Sequence, residues 1–361
     1  MHTRNILHSG DGPIRAAAYL PADERSIFWG RLPCEADAAV LEINSGDEVT
    51  IDTLSHEGIH EDQGRDPVAF FAGFGVDADQ VLDDAVRLAG SNYPRDPGVD
   101  GPHVVTGPIG VRGAQPGDLL KITVIELLQR VPYGIISNRH GRGALPGEYP
   151  RQAGTVSVFA SVAERDGIEV GTMPRVAGGE HSVHFPLAPF LGIMGVAVAG
   201  TERPHSVPPG AHGGNIDINL LTVGSVLYLP VQVPGALAYI GDPHFAQGDG
   251  EVALTAMEAS LRATLRFEVV TAADAEAEFG QLVGPLVETI DFLVPTGMSE
   301  DLDEAVQRCV RAAIALLQAR FGMDPEHAYA YLSAATDFNI SQVVDLVKGV
   351  HARIRVEDFY V

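Results

Sequence analysis

The residues best suited to chemistry lie in two short clusters, HGGNID at 212–217 and GDPHFAQGDGE at 241–251. Asp217, His244, Asp249 and Glu251 would together form a mixed imidazole and carboxylate set, which suits Zn²⁺ and other divalent cations. Such a cation can polarise an amide carbonyl and lower the pKa of a bound water from about 16 towards about 7. A spare carboxylate can then move the proton.

The same residues also have an ordinary structural explanation. Gly-Asp and Asp-Gly pairs are common in turns, and an Asp beside Gly often caps its own backbone. Apolar strands are predicted at 225–230 and 236–240, between the clusters, and we expect them to pair as a hairpin that returns the second cluster to the first. The density of His, Asp and Glu around these strands favours a functional site.

Two further positions are candidates outside the clusters. His56 directly follows a predicted strand, so it can project into the site as a further ligand, with Asp52 in support; the alternative is a polar loop. Glu180 is a weaker candidate for a catalytic carboxylate. The sequence contains no G-x-S-x-G nucleophile elbow, no P-loop and no dinucleotide-binding glycine fingerprint followed by the required acidic residue. Cys309 is expected to pack inside a helix.

The elements that must position these residues are mainly strands. Alternating apolar runs and many Gly and Pro residues predict that 1–270 is a β-rich body, sandwich-like or barrel-like, that carries the site. A helix is predicted at 76–90, and the Gly/Pro/Arg-rich stretch 138–156 is expected to be a functional loop. Residues 271–361 predict a smaller α/β region with two amphipathic helices, at 299–321 and 324–335, after which 340–347 continues the helical pattern.

Charge and cysteine content restrict the partners and the compartment. The chain has 24 Lys and Arg against 48 Asp and Glu, a formal net charge of −24. Such a surface repels nucleic acid and anionic membranes. Two cysteines are too few for a disulfide framework, the N-terminal segment has no signal-peptide core, and no apolar run reaches the about 20 residues of a membrane span. We therefore expect a cytoplasmic protein.

Longer motifs carry a resemblance over most of the chain. They are GPIGV at 107–111, PGD at 116–118, HGGNID at 212–217, LYLPVQVPGAL at 227–237, GDPHFAQGDGEV at 241–252 and AYAYLSAATDFNISQVVD at 328–345. In these segments the sequence resembles the acetamidase/formamidase family. The resemblance implies hydrolysis of a small linear amide, of the formamide or acetamide type, to a carboxylate and ammonia. It also implies a homodimer or higher homo-oligomer.

By motif position, the resemblance supports a divalent metal, with Zn²⁺ expected and Ca²⁺ as the alternative. Motif position supports Asp217, His244, Asp249 and Glu251, whereas the TLSHEG segment that carries His56 departs from the family pattern. Together with the candidates taken from the residues themselves, the predicted metal ligands are His56, Asp217, His244 and Asp249, the predicted catalytic residues are Glu251, Asp249 and Glu180, and the predicted substrate-binding residues are His212, Gly214 and Asn215. Two other functions stay open. One is a larger or cyclic amide, with Arg139 and Arg142 binding an acidic substrate. The other is a non-catalytic β-sandwich protein with structural Ca²⁺, which an all-oxygen ligand set would favour.

Overall fold

The computed structural model describes residues 6–359, so the N-terminal segment predicted to lack a signal peptide is described only from residue 6 onward. The strands in chain order are β1 (Ala18–Leu20), β2 (Ile27–Trp29), β3 (Leu41–Asn44), β4 (Glu48–Asp52), β5 (Val104–Arg112), β6 (Leu119–Gln129), β7 (Tyr133–Arg139), β8 (Thr155–Arg165), β9 (Ile168–Pro174), β10 (Ser182–Pro186), β11 (Phe190–Gly195), β12 (Gly213–Asn215), β13 (Val226–Pro230), β14 (Ala238–Ala246), β15 (Met257–Glu258), β16 (Leu261–Val270), β17 (Leu286–Glu288), β18 (Phe292–Ser299), β19 (Asp337–Gln342) and β20 (Lys348–Arg355). The helices are α1 (Pro67–Ala72), α2 (Asp83–Ala89), α3 (Ala272–Phe279), α4 (Leu302–Phe321) and α5 (Pro325–Ala335), with short 3₁₀ turns at Glu61–Gln63, Ala78–Gln80 and Val356–Phe359.

The strands form two large sheets. The first has nine strands in the order β1-β4-β16-β6-β13-β17-β18-β20-β19. The second has eleven, with the path β10-β9-β8-β7-β15-β14-β11-β12, while β5 pairs with β14 and also with β2 and β3. The prediction of a mainly β fold is confirmed, and within residues 6–359 the sheets do not close into a barrel.

Apolar side chains from both sheets meet in one continuous core. Ile51 of β4 and Ile122 of β6 come from the nine-stranded sheet, and Ile135 of β7 and Ile240 of β14 come from the eleven-stranded sheet. All four are fully buried, and burial of each such side chain contributes about 1.5–3 kcal/mol. The two sheets therefore pack face to face, as in a β-sandwich.

A second core lies on the other face of the nine-stranded sheet, where α3, α4 and α5 pack. Successive side chains of β13 point to opposite faces of the sheet. Leu227 and Leu229 lie in the main core, whereas Tyr228 lies in the second core. Cys309 of α4 is fully buried there, as expected for a packing residue. Gly297 of β18 permits the close approach of α4, since a Cβ atom there would lie 2.2 Å from the Cys309 backbone nitrogen.

The predicted boundary near residue 270 falls within one continuous sheet. Strands β17 to β20 extend the sheet that contains β4 and β6, so the described residues 271–359 contribute most of the second core and do not form a separate sheet. The two predicted helices of this region are confirmed as α4 and α5. Among residues 6–359, none of the helices has the length and apolar character needed to cross a membrane.

Three predicted elements differ in the structure. The helix predicted at 76–90 is confined to α2, because Val81 and Leu82 are extended and separate it from the 3₁₀ turn before it. Residues 340–347 do not continue the helical pattern, since β19 pairs with β20. The predicted hairpin is also wrong: β13 and β14 lie in different sheets.

The connection between β13 and β14 explains why no hairpin forms. Ala236 and Leu237 have φ values of 58° and 54°, which turn the chain before β14 begins. β13 then pairs with β6 and β17, whereas β14 pairs with β5, β11 and β15. Although β13 and β14 are close in sequence, each strand therefore pairs with strands that are distant in sequence and not with the other.

A buried ion pair holds the end of β4, the strand that leads to His56. Arg262 of β16 is 1% exposed and Asp52 is fully buried. Their contact is bidentate, with Arg262 Nε 2.6 Å from Asp52 Oδ1 and Nη2 3.0 Å from Oδ2. Tyr19 also donates to Asp52, at 2.5 Å. Asp52 therefore stabilises the end of β4. Its carboxylate was expected to support His56, but its oxygens contact Arg262 and Tyr19 instead.

We predict that Arg262→Met destabilises the fold by up to about 3–5 kcal/mol, because it removes the bidentate partner of the buried Asp52 carboxylate and leaves only Arg130, whose Nη2 lies 3.7 Å from Asp52 Oδ2, as a nearby cation. The matched control is Arg266→Met on the same strand, whose side chain is 41% exposed and pairs with Glu48. Loss of that surface pair should cost only about 0–1 kcal/mol. Urea unfolding of both variants measures the difference, and equal losses would contradict the structural role of Asp52.

Candidate metal centre and active site

The two clusters meet across strand β11, which takes the place of the predicted hairpin. β11 pairs with β12 on one side and with β14 on the other. Asp242 and His244 are two residues apart on β14, so they face the same side of the sheet. A Cβ atom on Gly192 of β11 would lie 2.5 Å from Asp217 Oδ1, 2.7 Å from Asp242 Oδ2 and 2.8 Å from His244 Cε1. Glycine at this position leaves the space in which these side chains converge.

Seven side chains form three overlapping ligand sets, and within each set the ligand atoms lie within 4.8 Å of one another. The sets are His56, His103 and Asp242; Asp242, His244 and Glu258; and Asp217, His244 and Glu251. Each of the seven is at most 7% exposed. Asp242 and His244 each belong to two sets, so the three sets form one continuous buried centre, which we call the His/carboxylate centre.

Three of these carboxylates are held by unusual backbone conformations. Asp217, Asp242 and Glu251 have φ values of 48°, 49° and 44°. Non-glycine residues rarely adopt this left-handed region, and each case costs on the order of 1–3 kcal/mol. Such strain persists only where the surrounding structure enforces it, and here it directs three acidic side chains to one centre.

On one side of the centre, two histidines approach the same carboxylate oxygen. His56 Nδ1 lies 3.6 Å from Asp242 Oδ1, and His103 Nε2 lies 3.9 Å from it. Burial opposes the charged form of His56, but the neighbouring carboxylates of Asp242 and Glu57 raise its pKa to about 10. Burial lowers the pKa of His103 to about 3, so it is neutral at pH 7. The protein alone thus places one protonated and one neutral imidazole beside Asp242.

On the other side, carboxyl groups accumulate around His244. His244 Nε2 lies 3.0 Å from Glu258 Oε1 and 3.1 Å from Asp242 Oδ2. Burial and the nearby Asp217 carboxylate raise the pKa of Glu251 well above its usual value. Burial and Asp345 do the same to Asp217. Without an added cation, burial and the repulsion between neighbouring carboxylates therefore favour the protonated forms of Asp217 and Glu251.

The polar atoms of the centre have the properties expected of cation ligands. Within residues 6–359, both oxygens of Asp217, both ring nitrogens of His244 and Oδ1 of Asp242 have no hydrogen-bond partner. His244 lies within ion-pair distance of its acidic neighbours but not in hydrogen-bond geometry. Each unsatisfied buried group costs about 1–3 kcal/mol. A divalent cation would satisfy several of them at once, so the residues present fit such an ion.

Four of the predicted site residues lie in this centre: His56, Asp217, His244 and Glu251. Asp249 does not, because its side chain is exposed. Its Oδ1 accepts from Asn219 at 3.0 Å and its Oδ2 from Asn339 at 2.6 Å. The structure therefore does not place Asp249 where it could act as a ligand or a catalytic residue, because both of its carboxylate oxygens accept hydrogen bonds at the surface.

Glu180 is likewise remote from the chemistry. It is exposed in the turn between β9 and β10, strands that lie at the edge of the eleven-stranded sheet. β9 is separated from β14 in that sheet by β8, β7 and β15. The structure therefore does not bring this carboxylate to the centre.

The predicted substrate-binding residues lie beside β11. Asn215 is 2% exposed, and its Oδ1 has no hydrogen-bond partner among the residues described. His212 is half-buried, and burial lowers its pKa to about 4. A Cβ atom on Gly214 would lie 3.0 Å from His212 Nε2, so that glycine allows the imidazole to pack closely. Asn215 and His212 are thus two neutral polar groups on the segment that pairs with β11.

Sequence reasoning missed three members of the centre: His103, Asp242 and Glu258. Asp242 had a usable signal, since it stands two residues before His244 on a strand and must share its face. His103 immediately precedes β5, and Glu258 is on the two-residue strand β15. Both come from short segments without a motif, and only strand pairing places them beside β14.

Comparison with known proteins identifies the family to which this chain belongs. The family model of the acetamidase/formamidase family matches residues 74–202 and 196–356. The chain therefore belongs to the acetamidase/formamidase family.

Individual relatives agree with this assignment. A formamidase of Methylophilus methylotrophus is 28% identical over 318 residues, covering 71% of this chain and 76% of that protein. A protein of Schizosaccharomyces pombe, provisionally named a formamidase, is 33% identical over 193 residues, covering 42% of this chain and 47% of that protein. The chain thus spans about half the length of the latter relative. The acetamidase structure from Bacillus halodurans superposes with a TM-score of 0.70 at 24% identity, over 95% of this chain and 100% of that one, which supports the fold.

We predict that Gly192→Ala abolishes stable binding of Zn²⁺ while the protein still folds. The added methyl group would stand within 2.8 Å of Asp217, Asp242 and His244 and push them apart. The control is Gly248→Ala, where a Cβ atom meets nothing within 4 Å. Zinc content after dialysis, measured beside circular dichroism, tests this. Zinc retention by the Gly192→Ala variant at the wild-type level would contradict it.

Proposed function

We propose that this protein hydrolyses a small linear amide to a carboxylate and ammonia, with a divalent cation bound at the His/carboxylate centre. The observation that carries the proposal is the burial of three overlapping ligand sets with unsatisfied nitrogen and oxygen atoms. Membership of the acetamidase/formamidase family supports the amide as substrate. The names of the matched formamidase and acetamidase agree with it.

The donor chemistry favours Zn²⁺ as the bound ion. Each of the three ligand sets contains at least one histidine nitrogen besides carboxylate oxygens. Mixed nitrogen and oxygen ligation suits Zn²⁺, whereas Ca²⁺ takes oxygen ligands. The same observation argues against the non-catalytic calcium protein. We propose that His56, His103 and Asp242, which form one ligand set, hold the ion, with Asp217 and His244 of the overlapping sets next to it.

The remaining acidic residue next to Asp217 suits proton transfer. Lewis-acid polarisation of the amide carbonyl is the chemistry that a bound divalent cation supplies. As water attacks the carbonyl carbon and the C–N bond breaks, one proton must leave the water and one must reach the departing nitrogen. Glu251 is the carboxyl group that we assign to both transfers, because it is buried beside Asp217 and His244.

The surroundings favour a small, uncharged substrate. The residues of the centre are almost completely buried, which leaves little room for a bulky acyl group. Asn215 offers an unpaired amide oxygen that can accept a hydrogen bond from a substrate NH₂ group. Arg139, which was expected to bind an acidic substrate, is engaged by Glu57 at 3.3 Å and Asp62 at 2.6 Å. The larger or acidic amide is therefore the weaker candidate.

We also propose that the protein works in a reducing compartment, such as the cytoplasm, as a homo-oligomer. Support for the compartment comes from Cys34 and Cys309, which are both buried as free thiols. The homo-oligomer rests on family membership, and its size is a matter for measurement in solution.

Ammonia release from formamide, acetamide and longer linear amides is the direct test. We expect release that falls as the acyl chain lengthens, disappears after removal of metal with a chelator and returns on addition of Zn²⁺. Ca²⁺ should restore much less activity, since it avoids nitrogen ligands. A metal-loaded protein that releases no ammonia from any amide would refute the proposed function. Unchanged activity after verified metal removal would refute the role of the cation.

The proton-transfer role is tested by Glu251→Gln, which keeps the shape of the side chain but cannot accept a proton. At saturating Zn²⁺ we expect kcat to fall by about 10²–10⁴-fold, as is typical for loss of a general acid–base group. Asp249→Asn is the nearby control and should keep activity near the wild-type level, because Asp249 contacts only surface asparagines in the hydrogen-bond network described here. A large loss in the control alone would return Asp249 to the mechanism.

A further inference from the structure

Both histidines that approach Asp242 have their second ring nitrogen occupied. His56 directs Nδ1 towards Asp242, and its Nε2 lies 3.3 Å from Glu57 Oε1. His103 directs Nε2 towards Asp242, and its Nδ1 lies 3.1 Å from Ser206 Oγ. The two imidazoles thus present opposite nitrogens to the centre, and each distal nitrogen has its own partner.

This arrangement matters because a histidine binds a cation only through a ring nitrogen that carries no proton. The proton must then sit on the other nitrogen, and an acceptor there fixes both the tautomer and the orientation of the ring. A carboxylate is the stronger acceptor, and it also makes the imidazole more electron-donating. Glu57 can perform this function for His56, whereas the neutral Ser206 makes the equivalent contact for His103.

Glu57 is itself fixed by a set of donors that play no other part in the centre. It is 3% exposed, and its Oε2 accepts from Ser137 Oγ at 2.6 Å and from the Gln63 side chain. Arg139 Nη2 donates to Oε1 at 3.3 Å. Ser137 and Arg139 are two residues apart on β7, so they reach Glu57 from one face of that strand.

Arg139 connects this set with the surface of the protein. Its Nε lies 2.6 Å from Asp62 Oδ2, and Asp62 also accepts from Thr155 at the start of β8. The β7–β8 hairpin therefore holds the arginine, the arginine and Ser137 hold Glu57, and Glu57 holds the ring of His56. Such a chain of contacts restricts the rotation of His56 even though His56 stands in a loop beyond β4.

We propose that Glu57 is a positioning residue that keeps the proton of His56 on Nε2 and leaves Nδ1 free to bind the cation, with Ser137 and Arg139 holding the Glu57 carboxylate in place. This inference rests on the proposed function, since it concerns the ion bound at the same centre. Glu57 itself does not touch the substrate, so its removal acts through the affinity and geometry of the ion.

The test is Glu57→Gln, which preserves size but removes the charged acceptor. We expect affinity for Zn²⁺, measured by competition with a chromogenic chelator, to fall by about 10–100-fold, as for other groups that orient a ligand histidine. The control is Glu61→Gln, a partly exposed residue of the 3₁₀ turn whose partner is Arg95. It should bind Zn²⁺ like the wild type.

Two further readouts separate positioning from general damage to the fold. Excess Zn²⁺ should restore most of the activity of the Glu57→Gln variant, whereas a misfolded variant would not recover. The absorption bands of the Co²⁺-loaded variant should shift relative to the wild type, because the ligand field at His56 changes. If Glu57→Gln does not fold, Arg139→Gln takes its place and should show a smaller loss of affinity, since Ser137 still holds the carboxylate.

The outcomes distinguish the two proposals. The positioning role would be overturned if the Glu57→Gln variant had wild-type affinity for Zn²⁺ and an unchanged Co²⁺ spectrum. Where Arg139→Gln must be used instead, wild-type affinity for Zn²⁺ would overturn it. Neither result would affect the proposed hydrolase function. A wild-type protein that binds neither ion would overturn both the positioning role and the metal-dependent function.

Discussion

The central constraint on this structure is that many acidic groups are buried close together in the His/carboxylate centre, at a high electrostatic cost. Asp217, Asp242, Glu251 and Glu258 are together with three histidines in a region from which water is almost excluded. Charges in such surroundings interact strongly, and uncompensated ones are expensive. Burial and neighbouring carboxylates raise the pKa values of Asp217 and Glu251, as expected where acidic groups outnumber nearby cations. A divalent cation would relieve this imbalance, so the residues that make the centre unfavourable on its own are the ones that we propose to bind an ion.

The fold supplies the rigidity that this arrangement requires. Two sheets packed face to face keep β11 and β14 fully buried, apart from the last residue of β14. The Arg262–Asp52 pair fixes the end of β4, from which the chain runs to His56. Backbone strain at Asp217, Asp242 and Glu251 is tolerated because the surrounding strands do not let these residues relax. The stability of the sandwich thus offsets the cost of the centre.

The contacts around the centre also divide its residues by role. Asp217 and His244 have unsatisfied polar atoms that are available to a cation, whereas Glu57 has its oxygens engaged by protein donors. Asp249 is satisfied by two surface asparagines, which explains why a residue inside the acidic motif stands outside the chemistry. Whether a polar side chain has hydrogen-bond partners within the protein therefore indicates its proposed role as ligand, positioning residue or surface group better than its residue type does.

The sequence by itself determined the mainly β class, the amphipathic helices α4 and α5, the family and the region of the site. These are local properties: apolar periodicity follows from the helix and strand repeats, and long motifs such as GDPHFAQGDGE identify a family without coordinates. It also predicted His56, Asp217, His244 and Glu251 as site residues, because these residue types stand at strand ends or inside the motifs, and the structure brings all four into the same centre.

Tertiary structure decided which residues meet. His103 and Glu258 carry no local signal, and they reach Asp242 and His244 only because β5 and β15 pair with β14. The predicted hairpin failed for the same reason, since hydrogen-bond pairing with distant strands placed β13 and β14 in different sheets. Asp249 and Glu251 are two residues apart, yet one faces the solvent and the other the centre. The direction of a side chain depends on backbone torsions set by the whole fold, which residue spacing does not contain.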